Sequence, residues 1–164
     1  MRTFKNARPG ELVVLTSPGF LQEVFEKIRP QLEPARRAGY DTSRVYLMLD
    51  EMLSNAYRHG YKRAPGMPIG VEVHVQGDVC RVAVRDLAAT FDSALHAQTR
   101  SLPAPESGDP GGRGLVIVHR MCESFEHTTP PEGGNAVVLV MKLLRRAPAP
   151  VEQVTAVDPE DSRS

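Results

Sequence analysis

Hydrophobic residues recur along the chain with two different periods, and each change of period predicts a change of secondary structure. Five short runs are rich in β-branched residues or alternate between apolar and polar positions, which is typical of strands. Gly77 and Asp78 separate two of these runs and predict a tight hairpin. The five predicted strands cover residues 11–17, 70–76, 79–86, 125–129 and 135–144.

Three other segments carry apolar residues at spacings of three and four, as expected of helices with one buried face. The first begins at Phe20, and we expect it to end at Pro30, because proline disrupts the hydrogen bonding of a helix interior. The second follows the N-cap candidates Asp41, Thr42 and Ser43 and closes at Gly60. The third begins where the glycine-rich stretch "DPGGRG" gives way to "LVIVHRM".

The order of these elements predicts an α+β fold, a two-layer sandwich with helices on one face of a mostly antiparallel, mixed sheet. The alternation in "VEVHV" predicts that the other face of the sheet is partly solvated. We expect an N-terminal extension over residues 1–10, one domain over 11–144 and a disordered tail over 145–164. The long segment 87–113 has little periodicity, and such segments are usually lids, binding loops or disordered.

Bulk composition excludes several classes of function and favours none. Lysine plus arginine and aspartate plus glutamate each number 20, so no overall basic field favours direct nucleic-acid binding. Cys80 and Cys122 lie in apolar patterns without metal-ligand spacing, and we expect both to be reduced core thiols. The sequence contains no signal-peptide pattern and no membrane-length apolar run. We therefore expect a cytoplasmic protein with no membrane contact.

Three polar side chains recur every four residues in the second helix, opposite its apolar stripe. Glu51, Asn55 and His59 would lie on one helical face. A carboxylate can act as a general base, and an amide oxygen can help to hold Mg²⁺. A solvated face is the alternative interpretation, and His59 alone suits the dipole at a helix C-terminus.

Two further features carry chemistry in principle. Asp86 ends an apolar strand, where its carboxylate can accept hydrogen bonds from an amino-bearing ring or form an Asx turn with its own backbone. The glycines of "DPGGRG" lead directly into a helix and would leave backbone N–H groups free for phosphate oxygens. A purely structural glycine turn is the alternative for that segment.

Taken together, "DEMLSNAYRHGY", "VRDLAATFD" and "GGRGLVIVHRMCE" resemble the three ATP-site motifs of the Bergerat-fold ATPases. They are most similar to the anti-sigma-factor serine kinases, whose helix motif reads Glu-x-x-x-Asn-Ala-x-x-His-Gly-Tyr. The residues of this chain match that helix motif in full, and "GGNAVVLVMKL" resembles the family's last strand. The resemblance covers approximately residues 10–145.

The resemblance implies an ATP- and Mg²⁺-dependent site. Glu51 would be the catalytic base, Asn55 the Mg²⁺ ligand and Asp86 the residue that binds the adenine amino group. The remaining cofactor-binding residues implied by the resemblance are His59, Gly111, Gly112, Arg113, Gly114 and Leu115.

One residue departs from the family pattern. Asp86 is followed two residues later by Ala88, where the family has glycine. A left-handed backbone there would cost alanine on the order of 1 kcal/mol, and its Cβ would crowd the adenine. This departure predicts weaker ATP binding.

The resemblance implies a regulatory serine/threonine protein kinase that binds a sigma factor and phosphorylates a small antagonist protein. The alternative is a non-catalytic module of the same fold that sequesters a sigma factor or another regulator. No phospho-accepting histidine hairpin precedes the second helix, which argues against a complete sensor kinase. Regulators of this family often act as dimers, and the sequence leaves a homodimer open.

Overall fold

The computed structural model describes residue 4 and residues 8–90 and 113–147, with only the backbone at 113–115. In chain order the elements are β1 (Leu12–Leu15), α1 (Phe20–Arg37), β2 (Tyr40–Asp41), α2 (Ser43–Asn55), a π-helical turn (Ala56–Gly60), β3 (Pro68–Gln76), β4 (Val79–Asp86), α3 (Arg113–Met121), β5 (Ser124–Thr128), β6 (Asn135–Lys142) and β7 (Leu144–Arg145).

Five strands form one sheet in the order β1-β3-β4-β6-β5, and β2 pairs with β7 in a separate two-stranded ribbon. All these pairings, among the residues described, are antiparallel. The predicted hairpin is present, with Gly77 in a left-handed conformation at φ 61°. The α+β sandwich predicted from the sequence is therefore confirmed.

The hydrophobic core lies between one face of the sheet and the helices. Side chains at alternate positions of β4 face this core, namely Cys80, Val82 and Val84. The apolar stripe of α1 that joins this core includes Phe20 and Ile28, which are almost wholly buried. Cys122 is also buried, and burial raises the pKa of the Cys80 thiol to about 12. The expectation of two core thiols is confirmed.

Helix α1 continues to Arg37, so the prediction that it ends at Pro30 is wrong. Pro30 and Pro34 both lie on the exposed face, one turn apart. The carbonyl groups that lose their amide partners there can bond water. The buried stripe continues through Leu32 and Ala35, and this burial offsets the missing hydrogen bonds.

Helix α2 begins with Asp41 in the capping role, although Thr42 occupies the N-cap position. The Asp41 carboxylate accepts hydrogen bonds from the backbone N–H and the hydroxyl of Ser43, each at 2.9 Å. These bonds favour the ionised carboxylate, so the pKa of Asp41 is lowered. The first backbone N–H of the helix, that of Ser43, is thereby satisfied.

The end of the domain differs slightly from the expectation of a tail from residue 145. Arg145 pairs with Tyr40 in the small ribbon, and the backbone N–H of Arg146 donates to the Gly39 carbonyl at 2.9 Å. Residues 148–164 lie outside the described residues, so their predicted disorder stays a prediction. No described helix combines the length and apolar character needed to cross a membrane.

The outer face of the sheet contains a buried ion pair. Arg85 donates to both carboxylate oxygens of Glu11, at 2.9 and 2.5 Å, and to Glu132 at 3.1 Å. The Arg85 and Glu11 side chains are only 5% and 2% exposed. Gly70 makes this possible, because a Cβ at that position would overlap the Glu11 carboxylate. The Phe4 ring covers the guanidinium at 3.9 Å.

We expect Glu11→Gln to destabilise the fold by about 3 kcal/mol, the lower end for a broken buried pair, because Glu132 still accepts from Arg85. Urea unfolding measures this loss. The matched control is Glu72→Gln, whose 3.6 Å pair with Arg81 is partly exposed and should cost under about 1 kcal/mol. Equal losses in the two variants would contradict the special role of the Arg85 pair.

Candidate functional site

The end of α2 and the end of β4 meet at one point, and a single phenol joins them. The hydroxyl of Tyr61 donates to the Pro68 carbonyl at 2.6 Å and accepts from the backbone N–H of Leu87 at 2.6 Å. Tyr61 is buried, so both bonds are shielded from water. The tyrosine thereby fixes the residues after α2 against the start of β3 and the exit from β4.

Gly60 and Ala88 form the closest approach between these two segments. A Cβ on Gly60 would lie 2.8 Å from the Cβ of Ala88, which is below van der Waals contact. Glycine is therefore required at position 60 because a larger residue would clash with Ala88. A left-handed backbone is not the reason, because the φ of Gly60 is not positive. The expectation that Gly60 simply caps the helix needs this correction.

Ala88 fits the site without the strain that the sequence suggested. Among the described residues other than glycine, only Lys62 and Arg63 have positive φ, so Ala88 is not left-handed. The predicted backbone cost at this position is therefore wrong. Its Cβ fills the space that Gly60 leaves open, and its N–H donates to Asp86 Oδ1 at 2.8 Å. This is the Asx-type turn that the sequence offered as one interpretation of Asp86.

Asp86 is 6% exposed at the end of β4, on the face that carries Val82 and Val84. Its Oδ1 accepts from Ala88 and from the Asn135 side-chain Nδ2 at 2.9 Å. In the part of the chain that the structure describes, no donor reaches Oδ2. Burial raises the pKa of Asp86, while these two hydrogen bonds and the charge of His127 act in the opposite direction. One carboxylate oxygen is therefore held and the other is free to accept.

Asn135 is a site residue that the sequence analysis missed. It stands directly opposite Asp86 in the β4–β6 ladder and is 2% exposed. Its Nδ2 also donates to the Ala89 carbonyl at 3.3 Å, and its Oδ1 lies 3.0 Å from His127 Nε2. A polar residue at the head of an apolar strand, directly after two glycines, was the signal that could have identified it.

Gly134 is required by its conformation and by its neighbours. Its φ is 86°, and a Cβ there would overlap the Asp86 carbonyl and approach Leu87 Cα to 2.8 Å. This close backbone approach brings Asn135 into register with the carboxylate of Asp86.

The polar face of α2 is only partly as expected. Glu51 and Asn55 lie one turn apart within the α-helical part, and both are half-buried. The chain then turns into the π-helical segment Ala56–Gly60, which contains His59. His59 is exposed, whereas Glu51 and Asn55 are half-buried.

Asn55 carries an unsatisfied group. Its Nδ2 is buried and has no hydrogen-bond partner among the described residues. Buried amides are rarely left unpaired, so this side chain retains hydrogen-bonding capacity that a ligand could use. The side-chain oxygens of Asn55 and Glu51 also suit Mg²⁺, which is bound by few protein oxygens and keeps most of its water ligands.

The glycine-rich part of the candidate site is described only in part. Gly111 and Gly112 lie outside the described residues. Arg113, Gly114 and Leu115 form the first turn of α3, where the structure describes the backbone alone. This helix packs against α2, so the part of the predicted phosphate-binding segment that the structure describes lies in a neighbour of α2.

Comparison with known proteins gives matches of three kinds. The family model described as histidine kinase-like ATPase domain matches residues 21–141. An anti-sigma F factor of Oceanobacillus iheyensis is 22% identical over 113 residues, covering 69% of this chain and 75% of the relative. A mycobacterial sensor histidine kinase, MprB, is 17% identical and has a TM-score of 0.47, with coverage of 83% of this chain and 99% of that chain.

We expect Gly60→Ala to destabilise the protein by about 1–3 kcal/mol, the usual cost of overpacking, because its Cβ meets that of Ala88. The double variant Gly60→Ala with Ala88→Gly should recover most of this loss. Urea unfolding of the two single variants and the double variant measures the coupling. Additive losses would show that the two positions are not in contact.

Asp86 should also give stability a defined pH dependence. Because its pKa is raised in the folded state, the folded protein binds the proton more tightly than the unfolded chain does. The stability that Asp86 contributes is therefore greatest near and below its unfolded pKa of 3.8, and it falls as pH rises through the raised value. Unfolding free energies of wild type and Asp86→Asn between about pH 4 and about pH 8 measure this. A difference that does not change with pH would refute it, and Asp78→Asn serves as a half-exposed control.

Proposed function

This chain belongs to the histidine kinase-like ATPase domain family, and we propose that it binds ATP with Mg²⁺ and transfers the γ-phosphoryl group to a serine or threonine of a partner protein. The observation that carries the proposal is the buried Asp86 carboxylate, with one oxygen held by Asn135 and Ala88 and the other free to accept. Such a carboxylate suits an exocyclic amino group, which offers the donor that Oδ2 lacks.

The polar face of α2 would form the reacting side of the site. Glu51 would accept the proton of the attacking hydroxyl, and Asn55 would ligate the metal through its amide oxygen. When bound, Mg²⁺ would neutralise charge on the phosphate oxygens and hold them in place. The unsatisfied Nδ2 of Asn55 is a donor and would bond a phosphate oxygen beside that metal.

The start of α3 would bind the phosphates. Free backbone N–H groups and the positive end of a helix dipole stabilise anions there. We assign this role to Gly111, Gly112, Arg113, Gly114 and Leu115, and a secondary contact to the exposed His59.

We further propose a regulatory role in the cytoplasm, with a sigma factor and a small antagonist protein as partners. The similarity to an anti-sigma F factor supports this part of the proposal. The antagonist would supply the acceptor hydroxyl. The assembly of two copies into a homodimer is a further part of this proposal.

We expect micromolar ATP binding in the presence of Mg²⁺, and at least a tenfold loss of affinity in Asp86→Asn, since the amide replaces an acceptor with a donor. Titration calorimetry of the two proteins measures this. Asp78→Asn, at the β3–β4 turn, changes a half-exposed carboxylate, and this matched control should bind as wild type does.

Glu51→Gln separates binding from chemistry. It should keep ATP affinity within about twofold and abolish the appearance of phosphoserine or phosphothreonine on proteins that copurify with the chain. A folded wild-type protein that binds no ATP would disprove the kinase assignment and favour a non-catalytic binding module. Unchanged phosphorylation by Glu51→Gln would disprove only the role of Glu51.

A further inference from the structure

A cleft of about 400 Å³ opens between the start of α1 and the end of α2, and its described lining includes neither Glu51 nor Asn55. Its floor is apolar: Phe20 is 2% exposed and packs against Tyr57, with ring centroids 5.4 Å apart. Ser17 and Ser54 add hydroxyl groups to its wall. The cleft is therefore suited to an apolar group that is accompanied by polar atoms.

Two arginines lie on the rim of this cleft, Arg58 and Arg63. Within the described ranges, neither forms an ion pair or a side-chain hydrogen bond. Two adjacent cations without a counter-charge create a local positive field, although the chain as a whole has no net charge.

The position of Arg63 is imposed by an unusual backbone. Lys62 and Arg63 have φ of 52° and 63°, and two consecutive left-handed residues other than glycine are rare. The N–H of Arg63 donates to the Tyr57 carbonyl at 2.8 Å, which folds the chain back over the end of the π-helical turn. This fold brings Arg63 to the same cleft as Arg58.

We propose that this cleft binds an acidic segment of a partner protein. A carboxylate of the segment would lie between Arg58 and Arg63, where bidentate hydrogen bonding favours arginine over lysine. An adjacent aromatic or aliphatic side chain would pack on Leu21 and Tyr57, which line the cleft and are only half-buried. This inference goes beyond the proposed function, because the cleft needs neither ATP nor phosphoryl transfer.

Fluorescence anisotropy with labelled peptides tests the proposal. The probe is Ser-Asp-Glu-Phe-Asp-Glu, and its comparison peptides replace the acids by amides or the phenylalanine by alanine. We expect wild type to bind the probe at least tenfold more tightly than either comparison peptide, with and without ATP. Arg58→Glu and Arg63→Glu should each lose at least tenfold in affinity. Arg29→Glu, an exposed charge reversal further along α1, should stay within twofold of wild type.

Four results would overturn the proposal. Equal binding of the probe and the alanine peptide would show that binding is non-specific charge attraction. Equal affinities of Arg58→Glu, Arg63→Glu and wild type would show that the probe does not bind in the cleft. Binding of inorganic phosphate in place of the probe would assign a different ligand class. Residues 148–164 carry four acidic residues, so binding that appears only after their removal would assign the cleft to the chain's own end. ATP titration of the same variants keeps these results separate from the proposed function.

Discussion

The candidate site depends on one buried hydroxyl. Tyr61 bridges the start of β3 and the exit from β4, and so it holds the end of α2 beside the carboxylate of Asp86. The Gly60–Ala88 contact sets how closely these segments approach. Without this connection, the polar face of a helix and the end of a strand would be two unrelated features. With it, the end of the helix is held beside the end of the strand.

Arg85 and Asp86, adjacent residues of β4, show that one face of the sheet contributes to stability and the other to the candidate binding site. Arg85 points outward and forms ion pairs with Glu11 and Glu132, so its charge is balanced within the fold. Asp86 points toward the helices and keeps one oxygen without a donor among the described residues. Successive side chains of a strand point to opposite faces of the sheet, so the paired charge of Arg85 and the carboxylate of Asp86 lie on opposite faces although the two residues are adjacent.

The sequence predicted the layers of the fold well, because period and turn chemistry are local properties. The β3–β4 hairpin followed from alternation around Gly77, whereas the continuation of α1 through Pro30 depended on burial of Leu32, which is a tertiary effect. For the site, the motif identified Asp86 but not Asn135, because their pairing depends on the register of β4 against β6. Cross-strand register joins distant residues and leaves little trace in a local pattern.

The cysteines have a practical consequence for experiments on this protein. The two cysteines of the chain are both buried, and a thiol whose pKa is raised to about 12 is almost entirely protonated at neutral pH. Since the thiolate is the nucleophile, alkylating dyes should react slowly with the native protein. A single cysteine introduced on the exposed turn at Pro131 would then carry a fluorophore selectively, close to the β5–β6 strands and without any need to remove the natural thiols.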